Sequence, residues 1–332
     1  VTGVLKETPE DFVVTELLGF TADGGAAHVL LEVEKRDRDT LAVQRELARA
    51  AGVQARDVGF AGLKDRTAIA RQWFTVPATR APEQWLAMEL RGARIVSAAA
   101  HSRKLRRGAL KGNHFAIRLT GVRGDIAGLE ERLARIVTAG VPNYFGVQRF
   151  GRHGSNLAAI ERWVAGEALP NGRDARAFIY SAARSLLFNT VLDARVALGT
   201  WNTLGPGELV NLDGRASWFE ADLIDETLLA RLALGDIHPS GPLVGRGAPT
   251  RGAAVQQERT LCARFDPLEA RLIEAGLEAA RRPLRVIPRD FVASVHEDTV
   301  RLSFSLSAGA YATVVVRECM DTGPLPGEGR DD

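Results

Sequence analysis

Val58-Gly59-Phe60-Ala61-Gly62-Leu63-Lys64-Asp65-Arg66-Thr67-Ala68-Ile69-Ala70-Arg71-Gln72-Trp73-Phe74-Thr75-Val76-Pro77 is the stretch whose reading decides the fold. An apolar, glycine-punctuated piece runs into the polar turn Lys64-Asp65-Arg66-Thr67. Beyond it Ala68, Ala70, Gln72, Phe74 and Val76 alternate with Ile69, Arg71, Trp73 and Thr75. A period of two marks a strand with one face on a core, and Pro77 stops it. Asp65 therefore sits in a tight connection between two strands, a rigid place to hold a side chain at a cleft. Its neighbours Lys64 and Arg66 favour the ionised carboxylate, which keeps it competent as nucleophile or base at neutral pH. Chemistry alone also permits a turn aspartate bonding its own backbone, the commoner case, and it names no reaction.

Working outward, residues 11–37 read as strands, with Val29, Leu31 and Val33 alternating with Leu30, Glu32 and Glu34. Residues 40–51 read as a helix with Thr40 at its N-cap, Glu46 exposed and Gly52 just past its end. Phe115, Ile117 and Leu119 give another alternating strand, and a helix is expected over 125–139. The middle of the chain changes character. Residues 181–198 form an amphipathic helix capped by Ser181 and closed by Gly199, and residues 225–234 and 266–281 look helical. Gly205-Pro206-Gly207 and His238-Pro239-Ser240-Gly241-Pro242 read as turns. Strand character returns where Val300, Leu302, Phe304 and Leu306 share a face. Strands, a mixed block, then strands again imply an α+β fold, a sheet domain interrupted by an insertion. The residues from Gly323 onward are rich in Pro, Gly and acids and are expected to fray.

The 332 residues suffice for two domains, and 45 % apolar with 25 % charged residues is an ordinary globular composition. No apolar run is long enough to span a membrane, and no basic-then-apolar leader opens the chain. It starts at Val1 rather than at methionine, so a short native leader is expected to precede it. Cys262 and Cys319 cannot build a disulfide framework or a four-ligand zinc site, and a reduced cytoplasm is the expected compartment. Six histidines are scattered without helical ligand spacing, which disfavours a metal site. Phosphate-loop, dinucleotide and G-x-S-x-G signatures are absent. What remains is carboxylate chemistry on a basic background. Net charge is only +2, yet residues 91–124 hold no Asp or Glu and carry Arg91, Arg94, Arg103, Lys104, Arg106, Arg107, Lys111, Arg118 and Arg123. A one-sign segment on a nearly neutral chain reads as a phosphate-binding surface, or as a solvated face paired with distant carboxylates.

Phe60-Ala61-Gly62-Leu63-Lys64-Asp65-Arg66, followed by Gln72-Trp73-Phe74, closely resembles the signature of TruD-type pseudouridine synthases. Further stretches resemble family motifs in family order. They are Pro9-Glu10-Asp11-Phe12-Val13-Val14, Arg103-Lys104-Leu105-Arg106 and Leu110-Lys111-Gly112-Asn113-His114-Phe115. Downstream come 141–151 (Val141-Pro142-Asn143-Tyr144-Phe145-Gly146-Val147-Gln148-Arg149-Phe150-Gly151), Ser181-Ala182-Ala183-Arg184-Ser185 and Ala308-Gly309-Ala310-Tyr311-Ala312-Thr313. Together they span nearly the whole chain. The resemblance implies a pseudouridine-synthase fold, with a mixed, largely antiparallel sheet and flanking helices. It assigns residues 1–139 and 287–332 to the catalytic domain and 140–286 to a family-specific α/β insertion, with RNA in a basic cleft between them.

The same resemblance implies isomerisation of uridine to pseudouridine in tRNA, expected at position 13 of the D-arm, with no cofactor and no metal. Asp65 carries over as the catalytic residue and Lys6 as its paired cation, although Lys6 also reads as an ordinary surface lysine. Phe12 and Asn113, with Phe115 beside them, carry over as uridine contacts, with plain core packing as the competing reading of Phe12 and Phe115. Tyr311 stands where the family often has phenylalanine. Thr67 replaces a histidine of some relatives, which argues against a proton-transfer role at that position. Arg103, Lys104, Arg106, Arg107 and Lys111 are the expected phosphate contacts. The segment Asn143–Phe150 serves either as packing between domains or as cleft lining. A monomer is expected, with tRNA as its partner and no membrane. The contrasting reading is a catalytically silent tRNA-binding protein or chaperone with the same fold.

Overall fold

The computed structural model describes residues 1–323, so the expected frayed tail lies outside the described residues except for Gly323. In chain order the strands are Thr2–Leu5 (β1), Phe12–Leu17 (β2), His28–Arg36 (β3), Gly59–Phe60 (β4), Ile69–Pro77 (β5), Glu89–Leu90 (β6), Ala93–His101 (β7) and Gly112–Arg123 (β8). After them come Val141–Pro142 (β9), Glu208–Leu212 (β10), Trp218–Ala221 (β11), Ile237–Leu243 (β12), Ala280–Pro283 (β13), Arg285–Val286 (β14), Arg289–His296 (β15) and Thr299–Ser307 (β16). The helices are Thr40–Ala51 (α1), Pro82–Leu86 (α2), Ile126–Ala139 (α3), Ser155–Val164 (α4), Arg173–Ala197 (α5), Glu226–Ala233 (α6), Ala253–Cys262 (α7), Asp266–Glu274 (α8) and Ala312–Cys319 (α9). The chain divides into two compact units. One comprises Val1–Leu129, Pro288–Gly309 and the described residues from Met320, and the other Glu130–Ile287 and Ala310–Cys319.

The first unit is built on a ten-stranded sheet ordered β15-β16-β8-β2-β5-β3-β7-β6, with β1 on β8 and β4 on β5. Among the described strands only β2 and β5 pair in parallel, so the sheet is mixed and largely antiparallel. Registers put the alternating residues of neighbouring strands on one face: Phe304 beside Phe115, Phe115 beside Val14, Val14 beside Ala70, and Ala70 beside Lys35. That face is buried. Val29, Leu31, Val33, Phe74 and Val76 pack there against Val43 and Leu47 of α1 and Trp85 of α2. On the other face Glu34 accepts from Arg71 and Arg94, a solvated ladder of the kind one-sided antiparallel sheets carry.

The second unit holds an antiparallel sheet ordered β11-β10-β12-β13, and α5 packs on β12 and beside α4 and α7. Its core gathers Ile160, Trp163, Ala183, Leu187, Val191, Leu268 and Leu272.

Four local readings are corrected. Asp39, not Thr40, caps α1, its carboxylate accepting from the Ala42 N–H at 2.8 Å, because the Thr40 hydroxyl is buried and committed elsewhere. Helix α5 begins at Arg173, so Ser181 is an interior residue whose hydroxyl accepts from Arg149 at 3.0 Å. Helix α8 stops at Glu274 because Gly276 turns left-handed at φ 78°, and residues 280–283 are strand. His238–Pro242 is strand rather than turn: β12 pairs with β10 over 237–239 and with β13 over 240–243, so its prolines sit where the ladder is one-sided.

Candidate active site

Asp65 lies in the connection between β4 and β5, and buried polar side chains hold that connection to the sheet. The Lys64 N–H donates to the Thr40 hydroxyl at 3.0 Å, and that hydroxyl donates to Gln72 Oε1 at 2.9 Å. Gln72 Nε2 donates to the Gly62 carbonyl at 3.4 Å, and Lys35 Nζ to the Asp65 carbonyl at 2.6 Å. Thr40, Gln72 and Lys35 are each no more than 1 % exposed. Gln72 and Lys35 occupy buried-face positions of β5 and β3, so strand register itself carries them beneath the loop. Burial drives the Lys35 ammonium down to about 8 against the pull of Asp65 and nearby carboxylates.

The Asp65 carboxylate is fixed at both oxygens. Lys6 Nζ donates to Oδ2, while the Thr67 N–H and hydroxyl donate to Oδ1 at 3.1 and 3.2 Å. Lys6 adopts a left-handed backbone at φ 65°, rare for a lysine. Its side chain is only 6 % exposed against 43 % for Asp65, and its ammonium stands 4.2 Å over the Phe12 ring. The carboxylate is thus reachable while its cation is not. Partial burial pushes the Asp65 carboxyl up, but the bond and charge of Lys6 and the donors of Thr67 outweigh it. The pKa therefore falls below the ordinary carboxylate range. A group with a depressed pKa stays ionised further into acid, so removing Lys6 moves the Asp65 pKa back up. Lys6→Met is expected to raise the acidic pKa of the kcat/KM profile by at least about one unit, the size of a lost charge-assisted bond. An unmoved limb would detach Lys6 from Asp65 in catalysis.

Beside Asp65, Lys64 Nζ donates to Glu16 Oε1 at 2.7 Å and to Asn113 Oδ1 at 2.8 Å. Glu16 is fully buried, and its other oxygen accepts from the Trp73 N–H at 2.9 Å. An ammonium only donates, so it fixes which end of the Asn113 amide faces it. The Asn113 NH2 then finds no protein acceptor among the described residues. Phe12 and Phe115 are 6 % and 7 % exposed, edge to face at 5.9 Å, with Phe115 against Phe304 at 5.6 Å. They are core residues at the margin of the site.

Arg103, Lys104, Arg106, Arg107 and Lys111 are all exposed on the loop between β7 and β8. The loop is pinned next to the connection that carries Asp65: the Gly108 N–H donates to the Ala61 carbonyl at 2.7 Å and the Leu105 N–H to the Thr75 hydroxyl at 2.8 Å. Gly59 permits this approach, since a Cβ there would collide with the Leu105 carbonyl oxygen. Arg107 lies 5.3 Å over the Phe60 ring and Lys104 donates to the Arg56 carbonyl. Charge reversal of Arg106 and Arg107 together is expected to weaken tRNA binding. It should also flatten the slope of log K against log salt by at least about 1.4, the share of two single-strand phosphates. An unchanged slope removes them from the RNA surface.

Tyr311 belongs to the second unit, where its hydroxyl accepts from Arg149 and its ring meets Phe145 at 6.4 Å. The segment Asn143–Phe150 is knit into the same unit. Asn143 Oδ1 accepts from Arg282 at 2.6 Å, and Phe145 exchanges two bonds with the Asn189 amide at 3.0 Å each. Burial brings the Arg282 guanidinium down to about 10.

Sequence reasoning passed over Glu16, Lys35, Thr40 and Gln72 as site supports. Their signal was present: each of the three on strands falls on the buried beat of an alternating strand, where a polar side chain needs a partner. Among the described residues no cluster of three or more His, Cys, Asp or Glu side chains is placed to hold a metal ion, and no helix is long and apolar enough to cross a membrane.

The family model for tRNA pseudouridine synthase D (TruD) matches residues 1–169 and 165–319. The chain is 44 % identical over 332 residues to a tRNA pseudouridine synthase D of Nitrosococcus oceani, covering 98 % of this chain and 93 % of that one. A protein of the same name from Methylococcus capsulatus is 43 % identical over 325 residues, covering 97 % and 92 %. A crystal structure of a tRNA pseudouridine synthase D (TruD) from Methanosarcina mazei superposes with a TM-score of 0.72 at 22 % identity, covering 96 % and 93 %, a likeness of fold. With the signature aspartate set in a braced loop and both stretches matched to one family, this chain belongs to the TruD family of tRNA pseudouridine synthases.

Proposed function

We propose that this enzyme converts uridine 13 in the D-arm of tRNA to pseudouridine, with Asp65 as the reacting carboxylate and the first unit as the catalytic one. The observation that carries the reading is the state of Asp65: ionised, half-exposed, and held at both oxygens by Lys6 and Thr67. The reaction breaks the C1′–N1 bond of the nucleotide, turns the uracil and forms C1′–C5; C5 loses its proton and N1 gains one. It is an isomerisation without net redox change, so it calls for no cofactor. The base must leave its stack to be reached, and a carboxylate in an accessible loop suits an extruded nucleotide. Once extruded, uracil presents two carbonyl acceptors, and the Asn113 NH2, oriented by Lys64, is a donor of the right kind for one of them. Phe12 and Phe115 form the apolar margin for the base. By its family position Tyr311 is a further uridine contact, and Arg103, Lys104, Arg106, Arg107 and Lys111 bind phosphates.

The test is chemical mapping of pseudouridine on an unmodified tRNA transcript with uridine 13 and on one with cytidine 13, using the wild-type chain. A single mark at position 13 in the first and none in the second supports both reaction and position. Marks elsewhere would keep the chemistry and change the substrate. No mark, with tRNA still bound, would leave the silent binder.

A further inference from the structure

On the first unit a cavity of about 1180 Å³, whose lining does not include Asp65, opens beside the loop between β7 and β8. Its lining includes His28, at the start of β3, whereas Lys35, which holds Asp65, stands seven residues along the same strand. At about 3.3 Å per residue the His28 end of the cavity is roughly 20 Å from Lys35, while Phe60 and Ala109 carry its other end toward the Asp65 loop. Phe20 stacks on His101, the register partner of His28, so a base on Phe20 is not the base at Asp65. Phe20 lines the cavity. His101 lies alongside it in an offset stack, centroids 5.5 Å apart and rings 10° from parallel, and Phe20 remains 40 % exposed, so much of its ring stays open. Arg103 and Arg106 also line it, and among the described residues neither is ion-paired. The one lining carboxylate, Asp23, is spent on the Ser102 N–H at 2.8 Å, the Ser102 hydroxyl and the Gly25 N–H at 3.1 Å. Those bonds tie the Phe20 loop to the basic loop.

A partly open aromatic ring beside unpaired guanidiniums matches single-stranded nucleic acid, whose bases stack and whose phosphates pair. We propose that this cavity is a second nucleotide subsite, which takes one unpaired nucleotide of the substrate RNA with its base on the open part of the Phe20 ring and its phosphate on Arg103 and Arg106. The volume exceeds the ~300–1,000 Å³ of ordinary small-molecule sites, leaving room for flanking backbone. The inference rests on RNA being the substrate. It adds that the enzyme reads an unpaired nucleotide other than the reacting one, and hence the fold of the RNA as well as the target base.

The experiment uses the full chain in two arms. In the first, Phe20→Ala and Phe20→Leu are compared with Phe20→Trp on an unmodified tRNA. Loss of the aromatic face is expected to raise KM about tenfold, the loss falling on KM rather than on kcat, while tryptophan restores it. In the second, the Phe20→Trp variant is titrated with a short single-stranded oligoadenylate, which has no uridine for Asp65, and separately with adenosine monophosphate. Quenching in Phe20→Trp beyond that of the wild-type chain, whose five native tryptophans are titrated in parallel, and at lower oligomer than monophosphate concentration, supports an RNA subsite. Unchanged KM in both Phe20→Ala and Phe20→Leu, or a tryptophan indifferent to the oligomer, overturns it, as does a response to the monophosphate alone. Quenching does not depend on pseudouridine formation, so failure of the reaction assignment and failure of the subsite read out separately.

Discussion

Replacing Asp65 with asparagine is expected to cut pseudouridine formation by at least about 10³-fold while tRNA affinity stays within a few-fold of wild type. The substitution keeps the shape and the acceptor oxygen. The Thr67 donors and the bond from Lys35 to the residue 65 carbonyl, which is backbone, therefore persist. What vanishes is the negative charge that Lys6 and Thr67 hold ionised. The asparagine amide is neither an anionic nucleophile nor a base, and so the loss falls on the chemical step. Single-turnover assays with saturating enzyme read that step directly, and filter binding reads affinity. Turnover within tenfold of wild type would take Asp65 out of the reaction. Loss of binding together with turnover would point instead to damage in the loop.

Glu16→Ala should produce the largest loss of stability among site residues, about 3–5 kcal/mol by chemical denaturation, because it strands a buried ammonium. The Glu16 carboxylate has no exposed surface and the Lys64 side chain only 7 %. Removing one partner leaves Lys64 to Asn113 alone, and the Trp73 N–H loses its acceptor as well. Replacing both charges, with Glu16→Met and Lys64→Met together, removes the stranded ion and should return most of that stability. It should not return activity, since nothing then orients the Asn113 amide. A double variant as active as wild type would reduce the ion pair to scaffolding. A Glu16→Ala protein of wild-type stability would mean that the pair is wetter than its burial indicates.

Much of the sheet was legible because apolar alternation has one interpretation when one face is buried. Residues 68–76, 29–33, 115–119 and 300–306 all declared their strands that way. Asp65 was legible as the occupant of a turn, and the family signature supplied a chemistry that the turn could not. Less legible was everything that depended on partners distant in sequence. Thr40 looked like a cap because its neighbourhood starts a helix, but its hydroxyl serves Lys64 and Gln72, 24 and 32 residues away. His238–Pro242 looked like a turn because proline and glycine cluster there, and only pairing with β10 and β13 makes it a strand. Residues 275–281 continued a helical pattern that Gly276 interrupts, and the next residues are claimed by β12. The polar residues on buried beats were the readable clue left unread.

β8 lies between β2, made early, and β16, made late, and pairs with β16 along eight residues from Gly112 to Leu119. During synthesis β8, whose Asn113 accepts from Lys64 of the Asp65 loop, therefore waits for a partner about 180 residues downstream. At ribosomal rates that interval lasts roughly 10–40 s, and throughout it one edge of a hydrophobic strand is open to any other chain. The newborn chain thus holds the Asp65 loop well before the sheet that carries it is complete. Chaperone dependence and sensitivity to translation speed should concentrate in that window.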